Sequence, residues 1–318
     1  MQLSTESSNI RIDIIRTASL IALIGNAILA TLKIVVGNLA GSLAVVGDGI
    51  DSSADVAIAL MSLFVAGIIS RPADQEHPWG HGRAETMATT ILAFVLFFAG
   101  GQLILNALDT ILSKKDIPIP SAPALFVTLG SIIGKVALAY SQFFLGKKAS
   151  SAMLTANGKN MLGDVLTSAG VLVGVSVSML FHVGLIDSIV AIAVGLWVIK
   201  NAIGIFLEVN VELMDGTDDT GPYSIVFEAV RSIKGAGNPH RTRMRKIAGL
   251  WDIDIDIEVD PHLTVREAHH IATEVERAIK ATVDGVYDIM VHVEPAGEGE
   301  NHNEGYGLSE AGIAEKKS

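Results

Sequence analysis

The sequence predicts an α-helical membrane protein with six transmembrane helices, followed by a small α+β domain of element order αββαβ. Three observations support this fold class. Of the 318 residues, 50% are hydrophobic and only 18% are charged, and the mean hydropathy of +0.47 is too high for an ordinary soluble enzyme. Six apolar segments each have about the 20 residues that cross a hydrocarbon core. Beyond residue 211 the sequence becomes charged and alternates between strand and helix patterns.

The predicted domain boundaries follow from these changes in composition. Residues 1–13 form a polar N-terminal cytoplasmic segment without a cleaved signal peptide, 14–210 the transmembrane domain, 211–221 a linker, 222–295 the cytoplasmic domain and 296–318 a disordered tail. The transmembrane segments are expected at residues 14–36, 43–69, 87–112, 122–145, 161–181 and 186–207.

The distribution of lysine and arginine predicts that both termini face the cytoplasm. The cytoplasmic side is assigned Arg11, Arg16, Arg71, Arg83, Lys147, Lys148 and Lys159. The opposite side is assigned Lys33, Lys114 and Lys115.

One clear alternation predicts the sheet of the cytoplasmic domain. Residues 251–259 read Trp-Asp-Ile-Asp-Ile-Asp-Ile-Glu-Val, with apolar side chains on one face and acids on the other. This pattern is typical of a strand with one solvated face. Helices are expected at 223–232 and 264–281, and further strands at 242–247 and 287–293.

Polar residues inside two predicted spans indicate a metal site. Asp51 and Asp55 stand four residues apart and share a helix face, and Asn160 and Asp164 repeat this spacing in the fifth span. Charges at bilayer depth cost about 2.5 to 3.5 kcal/mol on insertion scales, so they are usually functional. Two such pairs could form a four-ligand cage for a cation, with a hydrogen-bond network between helices as the alternative. Asp48 could be a further ligand or a boundary residue facing a water-filled cavity.

A second group of possible ligands lies in the loop after the second span. Asp74, His77 and His81 fall within eight residues, close enough for one loop to offer three ligands to a metal. The alternative for either histidine alone is that it caps a helix end. Cysteine is absent, so thiolate ligands are excluded and any metal must be held by carboxylate, imidazole or amide groups.

These motifs together closely resemble the cation diffusion facilitator family. The resemblance covers residues 14–295 and includes the segments GSLAVVGDGIDSSAD at 41–55 and ANGKNMLGDVLTS at 156–168, and the loop pattern DxxHxxGHG. It implies a homodimer that exports a divalent transition metal from the cytoplasm in exchange for protons, without enzymatic activity. The implied transport site consists of Asp51, Asp55, Asn160 and Asp164.

The resemblance also implies sites outside the transport site. The loop residues would form a second metal site, and the C-terminal domain would be a metallochaperone-like, ferredoxin-like module with a third. At matching positions the third site consists of His240, Asp256, His269, His292 and Glu294. Zinc-transporting members commonly have histidine at position 256 and aspartate at position 294, and surface histidines are the alternative. Arg83 and Asp215 match a charge pair that locks the dimer near the membrane surface.

Asn160 departs from many zinc-transporting members, which have a histidine there. Three carboxylates and one amide favour Mn²⁺, with Fe²⁺, Co²⁺ and Zn²⁺ as open alternatives. Metal ligands must be deprotonated, so a metal ion should displace protons from the site. The expected location is the plasma membrane, and no nucleic-acid partner is expected. A metal-sensing scaffold without transport is the alternative function, and a metal-dependent hydrolase lacks a candidate base in the short loops.

Overall fold

The computed structural model describes residues 2–69, 71, 73–113, 117–148, 151–217, 220–247, 249–297 and 307–309. The chain divides into two compact units. The first comprises Met1–Gly67 and Ala88–Phe206, and the second comprises Ile68–Met87 and Leu207–Ser318. The second unit therefore contains the loop after the second span as well as the C-terminal domain.

Six long helices cover the six apolar segments of the sequence. They are α1 (Gln2–Ala40), α2 (Leu43–Ile69), α3 (Arg83–Leu112), α4 (Ala122–Lys148), α5 (Ala152–Phe181) and α6 (Leu185–Leu213). Within the described ranges, five of them are long and apolar enough to cross a membrane. The remaining helix, α2, has 27 residues and carries the three aspartates at positions 48, 51 and 55.

Small side chains pack the first unit. Its main buried cluster contains residues from all six helices and consists mainly of alanine and valine. A Cβ atom at Gly134 of α4 would lie 2.9 Å from Leu29 of α1, and one at Gly174 of α5 would overlap Val190 of α6. Close helix approach of this kind supplies packing contacts where lipid provides no hydrophobic driving force. By contrast, a Cβ atom at Gly170, four residues before Gly174 on α5, would have no neighbouring atom within 4 Å.

A buried carboxylate fixes the start of α2. Asp187, near the beginning of α6, is 3% exposed. Its side chain accepts hydrogen bonds from Ser42 Oγ at 2.5 Å and from the backbone N–H of Leu43 at 2.8 Å. A negative charge at a helix N-terminus satisfies free N–H groups and interacts favourably with the helix dipole. The helix that carries the paired aspartates is thereby held against α6.

The C-terminal domain has the predicted αββαβ order. Its elements are α7 (Gly221–Arg231), β1 (Gly237–Ile247), β2 (Leu250–Val259), α8 (Val265–Thr282) and β3 (Val286–Pro295). Strand β2 is central, antiparallel to β1 and parallel to β3. Phe227, Ile255 and Ile279 belong to a core between the sheet and the two helices. The domain thus has its own hydrophobic core.

The alternation along β2 is confirmed, and arginines of β1 offset negative charge on its acidic face. Every second residue from Trp251 to Val259 is buried. On the other face, Arg245 Nε lies 2.8 Å from Asp252 Oδ2 and Arg243 Nη2 lies 3.4 Å from Asp254 Oδ2. Cross-strand pairs of opposite charge stabilise a sheet. The arginines of β1 therefore neutralise the charge that the sequence alone presents as repulsive.

The predicted disordered tail falls largely outside the described residues. Gly307–Ser309, however, reach the edge of the sheet, where Leu308 forms an antiparallel bridge with Thr242. The two backbone hydrogen bonds measure 2.8 and 3.1 Å. For these three residues the structure departs from the predicted disorder, because Leu308 packs against the domain core and pairs with the edge strand.

The capping box of α8 gives a first testable prediction. Thr264 Oγ1 accepts from the backbone N–H of Glu267, and the Glu267 carboxylate accepts from Thr264. Thr264→Ala should lower the free energy of unfolding of the isolated domain by about 1 kcal/mol in urea titrations. Thr273→Ala, within the same helix, is the control and should have a much smaller effect. Equal effects of the two substitutions would contradict a capping role.

The same cap has a pH dependence. Hydrogen bonds from Thr264 hold the pKa of Glu267 below its ordinary value. The stabilisation is therefore complete above the ordinary glutamate pKa and is lost as the pH falls through the lowered value. The difference between Thr264→Ala and the unmodified domain should shrink over that acidic range.

Candidate metal sites

Each of the two residue pairs predicted to form the transport site contributes one carboxylate that contacts the same lysine. Asp55 of α2 and Asp164 of α5 both direct a carboxylate oxygen to Lys135 of α4. The Lys135 Nζ lies 3.0 Å from Asp55 Oδ2 and 2.6 Å from Asp164 Oδ2. The lysine is fully buried, and the two carboxylates are about three-quarters buried. The structure thus brings one acid from each pair to a common cation.

The other two predicted ligands lie differently. Asp51, one turn before Asp55 on α2, accepts a hydrogen bond from Asn201 of α6 at 3.5 Å. Asn160, one turn before Asp164 on α5, is exposed. Among the described residues the acids of the first unit do not bring three ligand atoms within 4.8 Å of one another. Asp55 and Asp164 share a contact partner, the ammonium of Lys135.

A second buried lysine ties α1 to the same helices. Lys33 Nζ lies 2.8 Å from Asp48 Oδ2 and donates to Ser52 and Ser168 at 3.1 and 2.9 Å. Ser168 Oγ in turn donates to Asp48 at 2.8 Å. Both members of the ion pair are almost fully buried. Asp48 is therefore paired inside the bundle, and Lys33 does not flank the membrane as the charge distribution had suggested.

Sequence reasoning missed both lysines, although a signal was present. Lys33 lies near the end of the predicted apolar segment 14–36 and Lys135 near the middle of the segment 122–145, where a charge is as costly as that of an aspartate. The buried face of α4 also carries polar residues at helical spacing around Lys135, namely Thr128, Ser131 and Gln142. The same desolvation cost, applied to cations as well as acids, would have marked Lys135 as a candidate functional residue, although not its partners.

The loop residues of the second unit form a compact group. Asp74 Oδ1 lies 3.3 Å from His77 Nδ1, and Asp74 Oδ2 lies 3.4 Å from His81 Nε2. Ligand atoms about 2.0 to 2.2 Å from one metal ion lie roughly 3.1 to 3.5 Å from one another, so these separations suit a shared ion. The Nδ1 atom of His81 is buried and has no hydrogen-bond partner.

The local backbone prepares this loop for a cation. The N–H of His77 donates to Asp74 Oδ1 at 2.7 Å, and this bond above all holds the pKa of the Asp74 carboxyl below its usual range. Gly80 has a φ of 75°, which allows the turn that brings His81 back to Asp74. The hydroxyl of Tyr287 on β3 donates to the carbonyl of Trp79 at 2.6 Å. The loop is thus held against the sheet.

Three of the five predicted ligands in the C-terminal domain come together. His240, Asp256 and Glu294 offer ligand atoms within 4.8 Å of one another. The remaining two predicted ligands are exposed: His292 Nε2 lies 3.5 Å from Glu294 Oε1, and His269 lies on α8 outside the group. His240 pairs with Asp256 across the sheet, and Asp256 pairs with His292 of β3. Sheet register therefore explains why His240 lies beside Asp256, whereas Glu294, which pairs with Glu258, reaches the group from a diagonal position.

An arginine occupies part of this C-terminal group. Register shifts on both sides of His240 and a φ of 46° at Arg241 mark an irregular stretch of β1. The Arg241 Nε lies 3.4 Å from Asp256 Oδ2, and its Nη1 lies 3.8 Å from Glu294 Oε1. Glu294 Oε1 is buried without a hydrogen-bond partner. The group therefore contains one carboxylate oxygen without a hydrogen-bond partner, Glu294 Oε1. It also contains Arg241, which would compete with a metal ion for the carboxylates.

The predicted charge pair is present within one chain. Arg83 Nη2 donates to Asp215 Oδ1, and Arg83 Nη1 donates to the carbonyl of Glu212 at 2.6 Å. Asp215 Oδ2 also accepts from Arg245 Nη1 at 3.2 Å. Because Arg245 pairs with Asp252, Asp215 connects the start of α3 to the sheet.

Comparisons with known proteins agree with this architecture. Residues 19–214 match the model of the cation efflux transmembrane domain, and residues 220–296 match that of the cation efflux protein cytoplasmic domain. The Bacillus subtilis manganese efflux system protein MneS is 30% identical over 88% of this chain and 95% of its own length. The manganese efflux system protein MneP of the same organism is 29% identical over 90% of this chain and 97% of its own length. The metal-bound C-terminal domain of the Thermotoga maritima CzcD transporter is 32% identical, covering 25% of this chain and 92% of that domain, with a TM-score of 0.24.

The helical membrane domain and its cytoplasmic module define a multi-pass divalent cation efflux transporter. The chain belongs to the cation diffusion facilitator family. The family is one of transporters rather than enzymes.

The C-terminal group predicts a ligand effect on stability. Millimolar Mn²⁺ or Zn²⁺ should raise the unfolding temperature of the isolated domain, because a ligand that binds only the folded state stabilises it. His240→Ala should remove most of this increase, whereas His269→Ala should retain it. The measurement is thermal denaturation with and without metal. A metal-independent unfolding temperature in the unmodified domain would show that His240, Asp256 and Glu294 do not bind these ions.

Proposed function

We propose that this protein exports Mn²⁺ from the cytoplasm across the plasma membrane in exchange for protons, as a homodimer with both termini cytoplasmic. The observation that carries the proposal is that Asp55 and Asp164, from two separate helices, both contact the ammonium of Lys135 deep in the bundle. Charged groups at this depth are costly and typically mark an ion pathway. The transported ion would use the same carboxylates, together with Asp51 and Asn160.

The chemistry of these ligands supports manganese. Three carboxylates and one amide offer only oxygen, and oxygen ligands suit Mn²⁺ better than they suit the softer later metals. Two relatives, which are 30% and 29% identical to this chain, are named manganese efflux proteins. Because affinity alone favours later metals, Fe²⁺, Co²⁺ and Zn²⁺ are the competitors to be measured.

Proton exchange follows from ligand chemistry. Carboxylates must be deprotonated to bind the ion, so metal binding from the cytoplasm would displace any proton held by a site carboxylate that Lys135 does not pair with, such as Asp51. Opening to the far side would release the metal and allow protons to return. An inward proton gradient would then drive metal export, provided that the two states differ in their affinity for the ion.

The two sites of the second unit would sense or regulate rather than transport. Asp74, His77 and His81 would bind cytoplasmic metal in the loop, and His240, Asp256 and Glu294 would bind it in the C-terminal domain. Arg83 and Asp215 would stabilise the dimer near the membrane surface. Compact ligand groups in this unit also support the second candidate function, a metal-sensing scaffold without transport.

Substitution of the membrane carboxylates distinguishes the two functions. Asp51→Ala and Asp164→Ala should each abolish Mn²⁺ flux into sealed proteoliposomes because each removes a charged ligand, and each should leave a folded dimer because Lys135 keeps Asp55 as an ion-pair partner in both variants. Asp109→Ala is the control, since Asp109 is an exposed acid of α3. Undiminished flux in either site variant would refute the site assignment, and absence of flux in the unmodified protein for every divalent ion would favour the scaffold.

Asn160 provides a test of metal selectivity. Asn160→His replaces an amide oxygen by an imidazole nitrogen, which Zn²⁺ and other borderline metals favour. The ratio of Zn²⁺ to Mn²⁺ flux should therefore rise, by about tenfold if the change in relative ligand strength is about 1.4 kcal/mol. Asn106→His on α3 should leave the ratio unchanged. An equal ratio in the unmodified protein and Asn160→His would place Asn160 outside the metal's ligands.

A further inference from the structure

Lys135 has no role in the transport site as deduced from the sequence, yet it occupies its centre. The side chain is fully buried in the interior of the helix bundle. Its neighbour Gly134 allows α4 to pack closely on α1. Burying an ammonium group is costly unless it is paired. Here Asp55 and Asp164 supply the compensating charge.

The ammonium uses the same oxygen atoms that a metal ion would require. Each contact involves the Oδ2 atom of its carboxylate, at 3.0 Å for Asp55 and 2.6 Å for Asp164. An ion bound to both atoms at about 2.2 Å would lie within roughly 5 Å of an unmoved Nζ, where two positive charges repel strongly in a poorly solvated interior. The ammonium and the ion are therefore competitors for these two carboxylates.

A lysine side chain is suited to such an exchange. Its four-carbon stem is flexible, and its point charge can be repositioned without moving the helix. Lys33 contrasts with it, because Ser52, Ser168 and Asp48 hold its ammonium on three sides. The ammonium of Lys135 is held by the two carboxylates that would bind the transported metal.

We propose that Lys135 is the resident cation of the transport site: its ammonium neutralises Asp55 and Asp164 when the site is empty, withdraws when the divalent ion binds, and returns as the ion is released. This inference rests on the proposed function, since it assumes that the two carboxylates bind the transported metal. Lys135 stays covalently attached and is not transported, so it changes the affinity and the release rate of the ion rather than the net charge moved. It also sets selectivity against monovalent ions, because a single charge gains less than a divalent one by displacing the ammonium.

The test is equilibrium Mn²⁺ binding and Mn²⁺ flux with the full-length purified protein. Lys135→Met keeps the length of the side chain and removes the competing charge. Its dissociation constant for Mn²⁺ should fall at least about tenfold, the effect of a modest electrostatic penalty at this range. Its maximal flux should fall as well, because release is no longer assisted. Lys135→Arg retains a charge and should bind Mn²⁺ with an affinity close to that of the unmodified protein.

Lys33→Met is the matched control, since it also removes a fully buried lysine from an ion pair. It should lower thermal stability without tightening Mn²⁺ binding. Misfolding cannot produce a gain in affinity, so tighter binding confined to Lys135→Met supports the proposal. Equal or weaker binding in Lys135→Met overturns it while leaving the proposed function intact if the unmodified protein still binds and transports Mn²⁺. Absence of binding and flux in the unmodified protein refutes the proposed function and this inference together.

Discussion

The ion pairs of Lys135 with Asp55 and Asp164 are the interaction on which the membrane unit depends. Carboxylates cannot remain at bilayer depth without compensation, and here a lysine from a third helix provides it. This arrangement joins α2, α4 and α5 at the level where the ion should bind. Lys33 and Asp48 join α1 to α2 in the same way. Charge neutralisation thus links these helices, and the proposed divalent ion would replace the ammonium at the same carboxylates.

In the second unit, arginine side chains rather than lysines pair with the carboxylates. Arg243 and Arg245 pair with Asp254 and Asp252 of β2, and Arg241 reaches the carboxylates of the candidate C-terminal metal group. The irregular backbone at Arg241 is what directs its side chain there, since regular alternation would place adjacent residues 240 and 241 on opposite faces. If the group binds metal, as proposed, Arg241 would have to be displaced from Asp256 and Glu294, as proposed for Lys135 in the membrane. The arginine pairs also mean that metal does not need to relieve an acidic repulsion within the sheet.

The sequence was sufficient for the helices, strands and their order, because apolar length and period-two alternation are local properties. It also predicted the Asp74, His77 and His81 group, whose members are close along the chain. It could not predict the partners of long-range ion pairs, which depend on how α1 and α4 pack. Lys33 was assigned to the non-cytoplasmic side of the membrane for this reason, and Lys135 was overlooked. The separation of His269 from His240 depends likewise on tertiary structure, and Leu308 pairs with Thr242 through a contact that no local pattern indicates.

The exchange of one cation for another can be observed directly by determining the structure of the full-length protein in lipid, with and without Mn²⁺, and locating the metal by its anomalous scattering or its density. The account predicts metal coordinated by Asp55 and Asp164, with the Lys135 ammonium withdrawn from both carboxylates, and the ammonium between them when metal is absent. A metal-loaded structure in which Lys135 still contacts both Oδ2 atoms would contradict it.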